Sequence, residues 1–341
     1  MTSSLHKMPE QTPVAHRAGL RSWLKIVTEL GKARLSLLVV VTAIAGFVLA
    51  SSGAPDWPRL WWTAMGTLLA AMGINAFNQW MERGRDGLMR RTCNRPLPSR
   101  RIEPRKALVL AIVLSLAGDS LLWMLANPLT AVLSLICQFI YIAVYTPLKT
   151  RDPICTIAGA VCGAIPPLMG WAAATGSLGL GGWLLAALLF IWQVPHFLAL
   201  AWMYREDYKR GGFMMLPNVE ESGELTFKML LLYSTALLPL GVCMALLGLT
   251  GWLAAWGSLA LGASVLALGW RFASAPTYLS ARRVFLASVA YLPLILGVMI
   301  ADRTPMRDGA LAQPVMAVSV AEAGQGALDP AGELDAAGRA D

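Results

Sequence analysis

Residues 107–126 read ALVLAIVLSLAGDSLLWMLA, and after Asn127-Pro128 residues 129–147 read LTAVLSLICQFIYIAVYTP. Each run is about 20 residues long, enough as a helix to cross a hydrocarbon core of roughly 30 Å. Lipid offers a backbone no hydrogen-bond partner, so each run must be helical. A two-residue link between them turns the chain straight back. Seven more apolar runs flank this pair, at 35–51, 60–80, 154–174, 183–203, 229–249, 253–270 and 284–301. The expected fold class is an all-α integral membrane protein with nine transmembrane helices. Composition agrees. Of 341 residues 56% are hydrophobic and 14% charged, with a mean hydropathy of +0.57. Soluble domains carry about 25% charged residues.

The connections alternate. Those near Asn127-Pro128, Gly176–Gly182 and Thr250-Gly251 are short and nearly free of charge, whereas 81–106, 148–153, 204–228 and 271–283 carry Lys and Arg. Only Arg59, Arg303, Arg307 and Arg339 fall on the opposite side, so 28 − 4 = 24 basic residues share one side. Positive loops stay cytoplasmic. The N-terminus is therefore expected in the cytoplasm and the C-terminus in the periplasm of a bacterial inner membrane. The net charge of +8 then reflects topology, and no nucleic-acid partner is implied. Residues 1–21 lack an apolar core, so no cleavable signal peptide is expected. The expected domains are a disordered N-terminal arm (1–21), a nine-helix domain (22–301) and a disordered Ala/Gly/Asp-rich tail (302–341). Five cysteines, Cys93, Cys137, Cys155, Cys162 and Cys243, show no metal-binding spacing and read as small core residues. Asp119 reads as an interfacial or packing residue.

Three clusters carry chemistry, all at the cytoplasmic ends of spans. The first is NQWMERGRDGLMRRTCNRPLP, residues 78–98. Asn78, Glu82 and Asp86 are spaced i, i+4, i+8, which on a helix sets three oxygen-bearing side chains along one stripe. Such donors suit Mg²⁺, which bridges to phosphate oxygens. Arg90, Arg91 and Arg95 follow with forked donors for phosphate or carboxylate. A solvated loop that only fixes topology would explain the arginines, but not acids at the end of an apolar span. The second cluster, YTPLKTRDP (145–153), offers Tyr145, Lys149 and Arg151. Pro147 stands where it could break a shared helical face. The third, WQVPHFLALAWMYREDYKRGGF (192–213), places Gln193 and His196 inside a span, where polar groups are costly unless used, and adds Glu206 and Asp207 beyond it.

At these stretches, and at YTPLKTRDPICTIAGAVCGAIPPLMGW (145–171), the sequence resembles the protoheme farnesyltransferases, a branch of the intramembrane aromatic prenyltransferase superfamily. The resemblance covers roughly 25–300. It implies a central cavity opening to the cytoplasm. It implies that Asn78, Glu82 and Asp86 form the first metal–diphosphate motif, that Glu206 and Asp207 supply a second acidic site, and that Asp207 shares the metal. Tyr145 and Lys149 match a Tyr-x-x-x-Lys element that contacts diphosphate, with Arg90, Arg91, Arg95 and Arg151 as further donors. His196 stands where other superfamily members carry aspartate. With Gln193 it is implied to face heme, as an iron ligand or through a propionate. Thr150 and Asp152 depart from a commoner basic form. The implied activity is transfer of farnesyl from farnesyl diphosphate to the 2-vinyl group of heme b, giving heme O, with Mg²⁺ as cofactor. Heme A synthase or oxidase assembly proteins are candidate partners. The rivals are a quinone-precursor acceptor, a transporter, and a non-catalytic assembly factor.

Overall fold

The computed structural model describes residues 19–304, so the N-terminal arm up to 18 and the tail from 305, with their expected disorder, lie outside the described residues. A short amphipathic helix α1 (Leu20–Leu30) buries Ile26 and Leu30. Nine long apolar helices follow among the described residues: α2 (Ala33–Ala50), α3 (Trp57–Asp86), α4 (Pro104–Ala126), α5 (Pro128–Leu148), α6 (Cys155–Thr175), α7 (Leu180–Met203), α9 (Glu224–Leu246), α10 (Trp252–Ser274) and α11 (Tyr278–Ala301), with a short α8 (Arg205–Arg210) after α7. All nine match the apolar runs read from sequence.

Chain neighbours pack as hairpins, α3 with α4, α6 with α7 and α9 with α10. The closure is less local: α2 packs on α6, and α7 is backed by α9 and α11. Lipid-embedded helices associate by close packing rather than hydrophobic exclusion, which favours small residues at contacts. Here α2 and α6 meet through glycines. A Cβ on Gly46 would stand 2.0 Å from the Pro167 carbonyl oxygen, and one on Gly170 would stand 1.8 Å from that of Ala43. The α3–α4 seam is built alike, at Gly73 against Ser115 and Gly118 against Ala70.

Prolines inside spans free carbonyls that need other donors. Pro166 has no N–H for the Cys162 carbonyl, and the Cys137 thiol of α5 donates to that oxygen at 3.4 Å. The cysteines at 137, 155 and 162 are buried and outside any disulfide as read, but Cys93 is only half-buried in the loop after α3 and Cys243 is exposed on α9. Asp119 does pack: its carboxylate accepts from Ser134 Oγ at 2.7 Å and Gln138 Nε2 at 2.7 and 2.8 Å, tying α4 to α5.

The first residues assigned to the tail are ordered. The Asp302 carboxylate accepts from the Ala254 N–H at 2.7 Å, and Arg303 donates to the Val48 carbonyl at 2.8 Å, drawing the end of α11 against α2 and α10. Replacing Gly170 with valine should push α2 off α6 and cost about 1–3 kcal/mol, typical of overpacking. It is checked as a lower unfolding temperature in detergent, and an unchanged one would refute the contact.

Candidate functional site

The stripe on α3 forms as its spacing predicts, because α3 runs unbroken to Asp86, beyond the apolar run itself. Asn78 and Asp86 are fully buried and Glu82 is 6% exposed. A buried carboxylate needs a partner, and each has one. Lys149 Nζ donates to Glu82 Oε1 at 2.9 Å, and Arg95 Nη1 donates to both Asp86 oxygens at 2.8 Å. Asn78 Nδ2 donates to Thr146 Oγ1 at 3.2 Å.

Pro147 does not break the α5 face. The helix widens into a π-helical stretch over Ile140–Tyr145, then resumes an α turn at Thr146–Leu148. The Lys149 N–H still donates to the Tyr145 carbonyl at 3.1 Å, and its ammonium lies 4.7 Å from the Tyr145 ring centroid. Burial works to lower the Lys149 pKa, but Glu82 outweighs it and holds the ammonium above the ordinary lysine value.

Glu82, Asp86, Arg91, Arg95, Tyr145 and Lys149 line one end of a cavity of about 280 Å³. Its other walls are mostly apolar, with Leu35 and Val39 of α2, Ile74 of α3, Cys137 and Tyr141 of α5, Pro166 of α6 and Phe197 of α7. Charge thus stands at one end of an apolar chamber.

Sequence reasoning missed Lys32. It sits between α1 and α2 with φ 46°, a left-handed conformation that costs a lysine about 1–3 kcal/mol. Gln79, one residue past Asn78, holds the turn that precedes it. Its Nε2 donates to the Glu29 and Leu30 carbonyls at 2.9 and 2.7 Å, fixing the end of α1. Lys32 then lines the cavity with Nζ 3.3 Å from Asn78 Oδ1. Burial, then the nearby Arg95 and Lys149, push its pKa down to about 7. An anion in the chamber would favour its charged form. The turn at Gly31-Lys32 has no periodic signature, so only its basic residue beside an apolar run hinted at it.

Other expectations meet a different geometry. Glu206 projects outward with its side chain 77% exposed, beside Arg205 at 3.9 Å. Asp207 is buried, but its oxygens accept from the Arg90 and Arg91 N–H groups at 3.3 and 3.2 Å and from Arg210. It clamps the loop after α3 instead of facing the chamber. Arg90 and Arg151 are exposed and do not line the cavity, whereas Arg91 does, with Nη2 donating to Tyr208 Oη at 3.2 Å. Among the described residues no three Asp, Glu, His or Cys cluster tightly enough to enclose a metal ion by themselves. Glu82 and Asp86 nevertheless fit Mg²⁺, which takes one or two protein carboxylates and completes its shell with water and phosphate.

Gln193 and His196 part company. Gln193 lines the cavity, but His196 turns to α11. Its ring lies against Trp192, Phe285 and Phe197, at centroid distances of 5.2, 4.8 and 5.7 Å. Its Nδ1 is 2.9 Å from Ser288 Oγ, whose one hydrogen goes to the Phe285 carbonyl at 2.7 Å. With the Ser288 hydrogen on that carbonyl, Nδ1 is the protonated nitrogen and Nε2 keeps its lone pair.

Residues 39–293 match the model of the UbiA prenyltransferase family. A protoheme IX farnesyltransferase of Solibacter usitatus is 42% identical over 284 residues, 81% of this chain and 97% of that one. This chain belongs to the UbiA prenyltransferases, in their protoheme IX farnesyltransferase branch. Among solved structures, a digeranylgeranylglyceryl phosphate synthase shares the fold with a TM-score of 0.70 at 16% identity, over 82% of this chain and 98% of that one. A UbiA homologue from Archaeoglobus fulgidus, solved with GPP and Mg²⁺ bound, shares it with a TM-score of 0.60 at 15% identity, over 80% of this chain and 99% of that one.

Within this prenyltransferase, Arg95→Met should strand the fully buried Asp86 carboxylate and cost about 3–5 kcal/mol, as broken buried pairs do. Adding Asp86→Leu should return most of that loss. Thermal unfolding of both variants checks the pair, and equal destabilisation of the single and double variants would refute it.

Proposed function

We propose that this chain transfers the farnesyl group of farnesyl diphosphate to the 2-vinyl group of heme b, forming heme O and diphosphate. The observation that carries the reading is the chamber with ions at one end and apolar walls beyond, in a chain 42% identical to a protoheme IX farnesyltransferase. A prenyl diphosphate has the same two halves. The diphosphate lies at the charged end, against Lys32, Arg91, Arg95, Tyr145 and Lys149, and the farnesyl chain enters between α2, α3, α5 and α6. Mg²⁺ bound by Glu82 and Asp86, with Asn78 behind them, would neutralise charge growing on the leaving group. The basic groups that pair those acids then serve phosphate oxygens. Apolar walls keep bulk water from the allylic cation.

The second substrate lies outside this space. A volume of about 280 Å³ is at the small end of ligand pockets, roughly 300–1,000 Å³, so it suits a prenyl chain but not a tetrapyrrole beside it. Heme is placed at the α7–α11 face, next to Phe197. His196 fits there as an iron ligand rather than a propionate partner. A propionate needs an N–H donor, and the free Nε2 has none. Ser288 supplies the oriented second contact that iron-bound histidines ordinarily have. The mouth is assigned to the cytoplasmic leaflet by the 24 basic residues on that side, with the C-terminus in the periplasm.

Asp86→Asn and Glu82→Gln should each lower conversion of heme b to heme O by about a hundredfold or more, the scale of lost transition-state electrostatics, while the chain still accumulates in membranes. Normal conversion would remove the diphosphate assignment. Lys32→Met should weaken binding of a prenyl diphosphate about tenfold or more, the worth of a charged hydrogen bond, and leave heme affinity unchanged. His196→Ala should impair heme binding, read from the Soret absorbance, more than farnesyl diphosphate binding. The reverse order would move His196 to the diphosphate.

A further inference from the structure

Gln193 carries an unused acceptor into the chamber. The residue is 6% exposed. Its Nε2 donates to the Leu189 carbonyl one turn back at 2.9 Å and to the Ala160 carbonyl of α6 at 3.4 Å. Carbonyls only accept, so the nitrogen must face them and the orientation of the amide is fixed. Oε1 is left on the other side, at the cavity wall, and accepts no hydrogen bond among the described residues. Gly163 makes room for it, since a Cβ there would stand 1.9 Å from Oε1 and 2.5 Å from Cδ. The amide is wedged between α6 and α7, with Phe197 one turn further along α7 and His196 three residues on.

An unpaired acceptor open to a largely apolar chamber is satisfied only by a donor that enters it. The reacting parts of both substrates have none, because a prenyl chain and a vinyl group carry only C–H bonds. Water has two O–H bonds, and the reaction read above consumes one water. Resting on that reading, we propose that Gln193 Oε1 holds the water molecule that completes the hydroxyethyl side chain, which makes Gln193 a positioning residue.

The step balances. The C1–O bond of farnesyl diphosphate breaks and its electron pair leaves with diphosphate. The vinyl π pair closes a new C–C bond from the terminal vinyl carbon to farnesyl C1, which leaves a cation on the carbon next to the pyrrole. The lone pair of the held water forms the C–O bond there, and the proton it sheds goes to diphosphate, the strongest base released. An unhydrated cation has one other exit, loss of a proton from the neighbouring CH₂, which gives an alkene lighter than heme O by one water. Holding the water by the amide oxygen fixes its place and points its lone pair outward, toward the cation that forms next to the pyrrole.

The test reads product composition. Membranes holding the full chain, Gln193→Met or Gly163→Ala are given heme b and farnesyl diphosphate, and farnesylated hemes are resolved by mass. Methionine keeps the volume and removes the acceptor, and Gly163→Ala displaces the same oxygen without removing it. Both variants should raise the dehydrated share of farnesylated heme at least tenfold over the unaltered chain. The share is a ratio, so low abundance of a variant does not obscure it. Heme O in an unchanged ratio, or no farnesylated heme from either variant, would overturn the assignment of Gln193. Absence of farnesylated heme from the unaltered chain would instead overturn the activity on which it rests.

Discussion

A carboxylate at the end of a membrane span must be paired, and that requirement organises the active end of this protein. Glu82 and Asp86 are enclosed, so each recruits a cation from elsewhere in the chain: Lys149 from the end of α5 and Arg95 from the loop after α3. Those two contacts draw α3, α5 and the 87–95 loop around one chamber. Asp207 secures the same loop from outside by accepting from two of its backbone N–H groups. The pairs compensate the buried acids and keep them within reach of the chamber. They also keep the basic groups beside the place where a phosphate would lie.

The remainder of the bundle makes that arrangement rigid. Glycines at 46, 73, 118 and 170 let backbones approach to distances that a Cβ would forbid, so the helices around the chamber have little freedom to slide. Prolines at 166 and 167 open the α6 backbone where it borders the chamber, and the freed Cys162 carbonyl finds the Cys137 thiol. On α3, Gln79 faces α1 while its neighbour Asn78 faces Lys32, so one turn of helix sets both the entry of the chain and a cation of the site.

Sequence told the fold because lipid permits so few options. Nine apolar runs admit one secondary structure, and the structure matches them run for run. The α3 stripe was legible for a similar reason, since a spacing of four survives in any unbroken helix. What could not be read depended on three-dimensional pairing. Pro147 looked like a break because a π-helical stretch that absorbs it leaves no pattern in composition. Lys32 looks like a topology charge in sequence because the contacts that turn it inward, from Gln79 and Ser36 to the end of α1 and its turn, come from distant or downstream residues. Asp207 looked like a metal ligand because nothing in its own segment shows that the Arg90 and Arg91 backbone already claims its oxygens. His196 and Gln193, three apart, were expected to act together.

Their separation is instructive. Residues three apart on a helix differ by about 60° in direction, too little to place them on opposite faces. On α7 it is enough, because the helix runs along the boundary between the chamber and the α11 contact. Packing then decides which side each residue serves. Gly163 leaves a space on α6 that the Gln193 amide fills, and Ser288 on α11 pairs with His196. Phe197 adjoins His196 in the chain, yet it lines the chamber. One turn of α7 therefore presents a bare imidazole nitrogen on one side and a bare amide oxygen on the other, with an aromatic wall beside both. Leaving two acceptors unpaired at this boundary makes sense where two reactants, held on opposite sides, have to meet.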